Sequence, residues 1–176
     1  MTTALRPDGH AVHVVAHGLP SNQWVCYQFR AMGSQSRIGR TRSFSGPRDR
    51  VERLRFAVAK CQNYQQGFYP AYRDMPAQDF DFVVRVGDYI YEDGPSAILI
   101  APGRAHNCPE ISTLDDYRNR YALYRLDQDR QDAHALYPFI GTSDDHEVDN
   151  NYAGLIPNAS NPTQGEDFVR RRLSAY

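Results

Sequence analysis

Two acidic clusters, each directly after an apolar run, are the residues of this sequence best suited to chemistry. Residues 87–92 (Gly-Asp-Tyr-Ile-Tyr-Glu) follow the run 80–86, and residues 144–147 (Asp-Asp-His-Glu) follow the run 137–140. Apolar runs of this length, with turn residues beyond them, are typical of buried strands. In an open α/β sheet, ligands gather beyond the carboxyl ends of the strands. The clusters therefore predict hard-cation ligands that converge on one site.

Three residues near the first strand ends carry candidate donor atoms. Cys61 follows a further apolar run, residues 54–59, and is either a small core residue or a thiolate that a cation keeps deprotonated. Asp88 either occupies a plain turn or ligates a cation that the preceding glycine lets approach the backbone. Tyr91, three residues on, either packs or returns to the same side in a tight turn as a phenolate ligand.

The second cluster places four ionisable groups side by side. Such groups repel one another and are costly to desolvate without cations or hydrogen bonds, although an acid-rich, solvated helix start is the alternative. His146 is a candidate ligand, proton donor or phosphate contact. Asn150 and Asn151 are candidates for a second shell that orients the ligands. A His-Asn-Cys tripeptide at 106–108 is a further metal-binding pattern, in a loop rich in proline and glycine.

The elements that position these residues follow two different sequence patterns, one in each part of the chain. Residues 10–44 alternate apolar and polar positions between turn clusters, with one strand predicted over 24–30, as at the end of a small antiparallel sandwich. Beyond a Gly-Pro break at 46–47, apolar runs alternate with helical patterns. That alternation favours a layered α/β arrangement with parallel strands.

Helix start signals separate the strands of the second part. Thr113 and Asp127 are predicted N-caps, and Thr163 with Glu166 has the form of a capping box that opens a last helix. Residues 94–110, with three prolines, are predicted to form a surface loop. Three short strands with helices between them make about half of a layered α/β domain. We therefore expect a fragment, or a chain truncated relative to its fold.

Composition argues against several classes of protein. The 176 residues carry a net charge of −1, which gives no electrostatic signature of nucleic-acid or anionic-membrane binding. No apolar run approaches the roughly 18 residues of a membrane span, and the first residues lack the apolar core of an export signal. Three widely spaced cysteines do not make a disulfide framework. The length suits one ordinary domain, or one and a half small ones.

Four motifs, in this order, resemble the PhoD-type alkaline phosphatase/phosphodiesterase family of calcineurin-like metallophosphoesterases. They are residues 59–64 (AKCQNY), 87–92 (GDYIYE), 117–121 (YRNRY) and 144–151 (DDHEVDNN). The resemblance implies an α/β fold, with the first half of a layered metallophosphoesterase α/β sandwich at residues 51–176. It also implies that residues 1–46 are the C-terminal strands of an immunoglobulin- or fibronectin-like β-sandwich domain.

The same resemblance implies a centre of iron and calcium ions that hydrolyses phosphate monoesters or diesters. By motif match, Cys61 and Tyr91 would ligate iron, Asp88 would bridge the metals, and Asp145 would take the second-metal position. His146 would face the phosphate as the catalytic residue. The family acts outside the cytoplasm, although no signal peptide is visible in this sequence.

Departures from the family pattern leave rival interpretations open. Lys60, Arg85 and Ser143 stand where the family usually has a small hydroxylated residue, a histidine and a tryptophan. The family's later Asp and His ligands do not follow in this sequence, so we expect an incomplete ligand set and at most a small fraction of the family's activity. One alternative is a non-catalytic fragment that retains the fold. Another is a β-type module whose acidic clusters bind only structural calcium.

Overall fold

The computed structural model describes residues 14–98, 100–159 and 165–175. The elements in chain order are β1 (Trp24–Tyr27), β2 (Arg30–Ala31), β3 (Ser34–Gln35), β4 (Gly39–Arg42), β5 (Phe56–Ala59), α1 (Pro70–Asp74), β6 (Phe82–Val86), α2 (Leu114–Arg125), α3 (Gln128–Leu136), β7 (Phe139–Thr142) and α4 (Gly165–Ala175). Short 3₁₀ turns at Tyr64–Gln66 and Met75–Ala77 flank α1. Within the described ranges, no helix is both long enough and apolar enough to cross a membrane.

The central sheet is parallel and has its three strands in the order β5-β6-β7. In its register, Val58 lies opposite Val84, and Val84 lies opposite Ile140. Since the strands run the same way, their carboxyl ends open on one edge of the sheet, which is where α/β folds place their sites. This arrangement confirms the predicted α/β class with parallel strands.

Helices α1 and α3 cover one face of this sheet. The buried side chains of that core are Ala59, Tyr69, Tyr72, Met75, Val83, Ala133 and Tyr137. On the opposite face, Phe56, Val58 and Ile140 are 51%, 62% and 43% exposed. Successive side chains of a strand point to opposite faces, so one strand contributes to both environments. The strands expected to be buried are therefore covered on one side only.

Helix α2 packs on the segment that follows β6. Its buried Tyr117 and Tyr124 form a second core with Ile90 and Ile111. This packing holds residues 87–93 between the sheet edge and α2. The segment that carries the first acidic cluster is thus supported by a core of its own.

The predicted N-caps of α2 and α3 are confirmed. The Thr113 side chain accepts a hydrogen bond from the backbone N–H of Asp116, whose carboxylate accepts one from the backbone N–H of Thr113 at 2.9 Å. The Asp127 side chain accepts from the backbone N–H of Arg130 in the same way. Such caps satisfy amide groups that have no partner within the helix. The predicted cap at Thr163 lies outside the described residues.

The described residues of the segment 94–110 are irregular, as predicted, but they do not simply form a surface loop. Arg104 and His106 are buried in this segment. The Arg104 guanidinium donates to the Asp127 carboxylate at 2.7 Å and lies 3.9 Å from the centre of the Tyr64 ring. Proline and glycine predict an irregular backbone, and they carry no information about the side chains packed between them.

The N-terminal strands form antiparallel ribbons, β1 with β4 and β2 with β3, that do not pair with the central sheet. The strand predicted over 24–30 ends at Tyr27. Residues 10–13 of the predicted β-rich region lie outside the described residues, and 14–17 form no strand. The β1–β4 ribbon packs against α3, where the Arg40 Nε donates to the Leu136 carbonyl at 2.8 Å.

Candidate metal centre

A tight turn after β6 starts the candidate site. Gly87 and Asp88 both have positive φ angles, +77° and +50°. A Cβ atom added to Gly87 would lie 2.1 Å from the Cβ of Asp144. Only glycine permits this approach and this backbone conformation together. The turn therefore brings the segment after β6 against the segment after β7.

Asp88 lies at the centre of the site and is 3% exposed. Its Oδ2 accepts hydrogen bonds from the Cys61 thiol at 3.0 Å and the Tyr91 hydroxyl at 3.4 Å. Its Oδ1 is buried and has no hydrogen-bonding partner among the described residues. Cys61, directly beyond β5, has a φ of +54°. Donor atoms from two strand ends thus meet at one carboxylate.

The loop after β7 supplies two further donors. Ligand atoms of Asp88, Asp145 and His146 all lie within 4.8 Å of one another. The Tyr91 and His146 rings pack with their centres 4.1 Å apart. The residues that meet here are the five predicted from the sequence: Cys61, Asp88, Tyr91, Asp145 and His146.

The buried Glu92 carboxylate holds His146. It accepts a hydrogen bond from Nδ1 of the ring at 2.7 Å and another from the backbone N–H of Asn150 at 2.7 Å. Burial alone would lower the pKa of His146, but the hydrogen bond and charge of Glu92 outweigh it and raise the pKa to about 9. Glu92 thus favours the protonated form of His146, whose charge suits a phosphate group.

The thiol and phenol of the site are neutral without a cation. Burial, followed by the hydrogen bond and charge of Asp88, raises the pKa of Cys61, and Lys60 opposes this effect in part. Burial and the Asp88 charge also raise the pKa of Tyr91. A nearby metal cation reverses this balance, because it favours the anionic form of each ligand.

Glu147, for which the sequence predicted no role, joins the loop after β6 to the loop after β7. Its Oε2 accepts from the backbone N–H groups of Asp88 at 3.1 Å and Asp144 at 2.7 Å, and its Oε1 accepts from that of Tyr89. A local signal for part of this role exists, because Asp144 and Glu147 have the spacing of a capping box. The bonds to Asp88 and Tyr89 have no counterpart in local sequence. Glu92 was likewise only one member of the first acidic cluster.

Other predicted candidates contribute differently or lie elsewhere. Asn150 and Asn151 are exposed, and their contacts with the site are backbone N–H bonds, Asn151 to Asp145 at 2.6 Å. His106 uses both ring nitrogens within the protein, Nδ1 with the Asp93 carbonyl and Nε2 with the Tyr124 hydroxyl. Burial lowers the pKa of His106 to about 4. The tripeptide 106–108 thus anchors its loop.

The departures from the family pattern have defined positions. Lys60 pairs with the Asp144 carboxylate, outside the Asp88–Asp145–His146 group, at 2.8 Å. Arg85 is buried and donates to the backbone carbonyl of Asp88. Ser143 is exposed just beyond β7. The positive charges of Lys60 and Arg85 are thus paired with a carboxylate and a backbone carbonyl of this chain.

Comparison with known proteins identifies the family. The family model for PhoD-like phosphatases matches residues 56–176. The chain belongs to the PhoD-like phosphatase family. Alkaline phosphatase D of Bacillus subtilis (strain 168) is 45% identical over 169 residues, which are 95% of this chain and 29% of that protein. A solved PhoD structure superposes with a TM-score of 0.90 at 43% identity and covers 98% of this chain and 33% of that one. The chain thus spans a third or less of these relatives.

The residues present fit a bound cation. A buried carboxylate oxygen without a hydrogen-bonding partner is costly unless something positive satisfies it, and Asp88 Oδ1 is such an atom. The thiol of Cys61 and the phenol of Tyr91 bond the other oxygen of this carboxylate, and ligand atoms of Asp145 and His146 lie within 4.8 Å of a ligand atom of Asp88. A thiolate suits transition metals, and carboxylates suit hard ions such as calcium.

Proposed function

We propose that this chain carries the Asp88-centred part of a metal-dependent phosphate-ester hydrolase site. The observation that supports it best is the buried Asp88 carboxylate, with one oxygen unsatisfied and four other donor side chains around it. Phosphate monoesters or diesters are the proposed substrates, in keeping with the family. Phosphoryl transfer suits such a site because its transition state concentrates negative charge that fixed cations stabilise.

Iron and calcium are the proposed metals. Cys61 and Tyr91 would hold iron, Asp88 would bridge the ions, and Asp145 would hold the second. When bound, the ions would polarise the phosphoryl oxygens. Burial and the charge of Asp88 raise the pKa of Tyr91, so its phenolate would form there only beside a cation.

His146 is the proposed phosphate contact and proton donor. Glu92 holds Nδ1 of the ring, and the stacked Tyr91 limits its rotation. Nε2 is the nitrogen that this bond leaves for a phosphoryl or leaving-group oxygen. An imidazole whose orientation is fixed in this way is placed to act on the phosphoryl or leaving-group oxygen as a general acid.

The proposed domain division places the C-terminal strands of a β-sandwich domain at 1–46 and the first half of the metallophosphoesterase domain at 51–176. The antiparallel ribbons, separate from the central sheet, and the open apolar sheet face support this division. We propose that the ligand set is completed outside these residues, so the 176-residue chain turns over slowly. We also propose an extracytoplasmic location, which cell fractionation tests.

Metal analysis and phosphate release test the proposal together. The chain, its Asp88→Asn variant and the control Asp167→Asn, an exposed residue of α4, are assayed for bound iron and calcium and with a chromogenic phosphate monoester. Iron that is lost only in Asp88→Asn supports the proposal. Calcium without iron favours the calcium-binding module, and absence of both metals favours the non-catalytic fragment. Turnover at ordinary enzyme rates would overturn the incomplete ligand set.

A further inference from the structure

Three buried arginines donate to the backbone of residues 88–93, here called the ligand loop. Their guanidinium groups come from three different elements, β6, α2 and α3. Arg85 Nη2 donates to the Asp88 carbonyl, and Arg130 Nη1 donates to the Tyr89 carbonyl at 3.2 Å. Arg120 Nη1 donates to the Tyr91 carbonyl and, at 2.9 Å, to the Asp93 carbonyl. Four of the six carbonyls in the loop thus accept hydrogen bonds from guanidinium groups.

The partners of these arginines set them apart from other buried arginines. Arg104 and Arg171 are also buried, but they pair with carboxylates, Asp127 at 2.7 Å and Glu110 at 2.5 Å. Arg85, Arg120 and Arg130 have no carboxylate partner among the described residues. They donate to carbonyl groups, Arg120 also to those of Cys108 and Pro109, and the guanidinium groups of Arg85 and Arg130 lie over the Tyr89 ring. A buried charge is costly, and carbonyl dipoles compensate it less than a carboxylate does. Such an arrangement is explained when the backbone itself needs to be fixed.

The loop conformation needs such support. Asp88 has a φ of +50°, a region that costs a non-glycine residue about 1–3 kcal/mol unless its surroundings impose it. The Glu147 carboxylate accepts from the N–H groups of Asp88 and Tyr89. Arg85 and Arg130 donate to the carbonyls of the same two residues. Both polar ends of these residues are therefore fixed, and their side-chain directions follow.

We propose that Arg85, Arg120 and Arg130 are positioning residues for the metal centre. They fix the ligand loop so that Asp88 and Tyr91 already face the cation before it binds. This inference rests on the proposed function, because it takes the Asp88 group to be a metal site. The arginines do not touch the cation and act only through the ligand loop.

Positioning and charge predict opposite effects on metal binding. A guanidinium repels a nearby cation, so removing its charge alone would tighten metal binding. Removing a group that orients ligands weakens it, by about 10- to 100-fold for groups that support metal ligands elsewhere. Lysine keeps the charge and loses the planar fork, whereas methionine loses both. If positioning dominates, Arg120→Lys and Arg120→Met both bind metal at least about 10-fold more weakly.

Two measurements on the full 176-residue chain test this inference. Iron(III) is titrated as the probe, and amide hydrogen exchange across 88–93 is followed without metal. We expect weaker iron binding and about 10-fold faster exchange in the ligand loop of both Arg120 variants, with exchange in α3 unchanged. Arg171→Met, the control, removes a buried arginine whose carboxylate partner, Glu110, lies outside both the ligand loop and α3. It lowers general stability and leaves loop exchange relative to α3 as in the wild type.

Arg85→Lys is the second variant, in case Arg120 variants do not fold, and the same results are expected of it. Unchanged loop exchange in a folded variant, or tighter iron binding by Arg120→Met, would overturn the inference. A wild-type chain that takes up no iron would contradict the proposed metal site. The exchange measurement would then still decide whether the arginines hold the loop.

Discussion

Replacing Glu147 by glutamine tests how the two loops of the site are joined. The carboxylate accepts three backbone N–H groups, from Asp88, Tyr89 and Asp144. Glutamine has nearly the same shape, but only one of its terminal atoms accepts hydrogen bonds. In its best orientation the amide oxygen keeps Asp88 and Asp144, and its NH₂ group then faces the Tyr89 N–H. The substitution therefore removes one bond and the charge that strengthens the other two.

The cost follows from the burial of these groups. Leaving a buried donor without an acceptor costs about 1–3 kcal/mol, and a charged acceptor adds about 0.5–1 kcal/mol to each bond relative to a neutral one. Asp88 is buried, whereas Tyr89 and Asp144 are half-buried, so water compensates part of the loss at Tyr89. We expect Glu147→Gln to lower the free energy of unfolding by about 2–4 kcal/mol.

Urea unfolding with a metal chelator present measures this effect. Asp167→Asn is the control, because the Asp167 ion pair with Arg170 is exposed on both sides and such pairs contribute at most about 1 kcal/mol. An unfolding free energy of Glu147→Gln within about 0.5 kcal/mol of the wild type would refute the reasoning. It would mean that water, or a movement of the loops, satisfies all three amides at no cost.

Two further predictions concern the same turn and a buried imidazole. Gly87→Ala places a methyl group against Asp144 at a φ of +77°, so we expect urea unfolding to show a free energy of unfolding lower by about 3–4 kcal/mol. In the control Gly103→Ala, which has the same φ but open space around the new methyl group, we expect a loss of about 1 kcal/mol. Burial, followed by the charge of Arg130, lowers the pKa of His134 from 6.5 to about 4. As the pH falls, the unfolded chain therefore takes up this proton before the folded chain does. His134 thus contributes stability above pH 6.5 that is lost as the pH falls toward 4. The difference in unfolding free energy between pH 7.5 and pH 5.0 should be about 2 kcal/mol smaller in His134→Gln, and an equal pH dependence in both proteins would contradict it.

Local patterns were enough to predict the strands of the central sheet and the caps of α2 and α3. The run before Gly87 became β6, and Thr113 and Asp127 cap the predicted helices. Parallel strands end on one edge of the sheet, so the residues beyond those ends were expected to lie close together. Cys61 and Asp88 do meet at this edge. Their roles as metal ligands remain a prediction.

The groups that hold the site together were not predictable in this way. Glu147 bonds amides 58 and 59 positions earlier in the chain, and Glu92 bonds His146 54 positions later. A glutamate in an acidic cluster looks the same in sequence whether it faces solvent, a metal or a backbone amide. The buried Arg120 also resembles any arginine on a helix, and only the packing of α2 on the ligand loop gives it partners.

By itself, the sequence determined where the central strands lie and where α2 and α3 begin, because strand period, caps and turn glycines act over a few residues. It also carried the four motifs by which the family is recognised. The tertiary structure decided which donor atoms meet, which carboxylate fixes which amide, and which groups are charged. Those properties depend on hydrogen bonds between distant segments and on the desolvation of each group, and both come into existence only when β5, β6, β7 and α2 pack around Asp88.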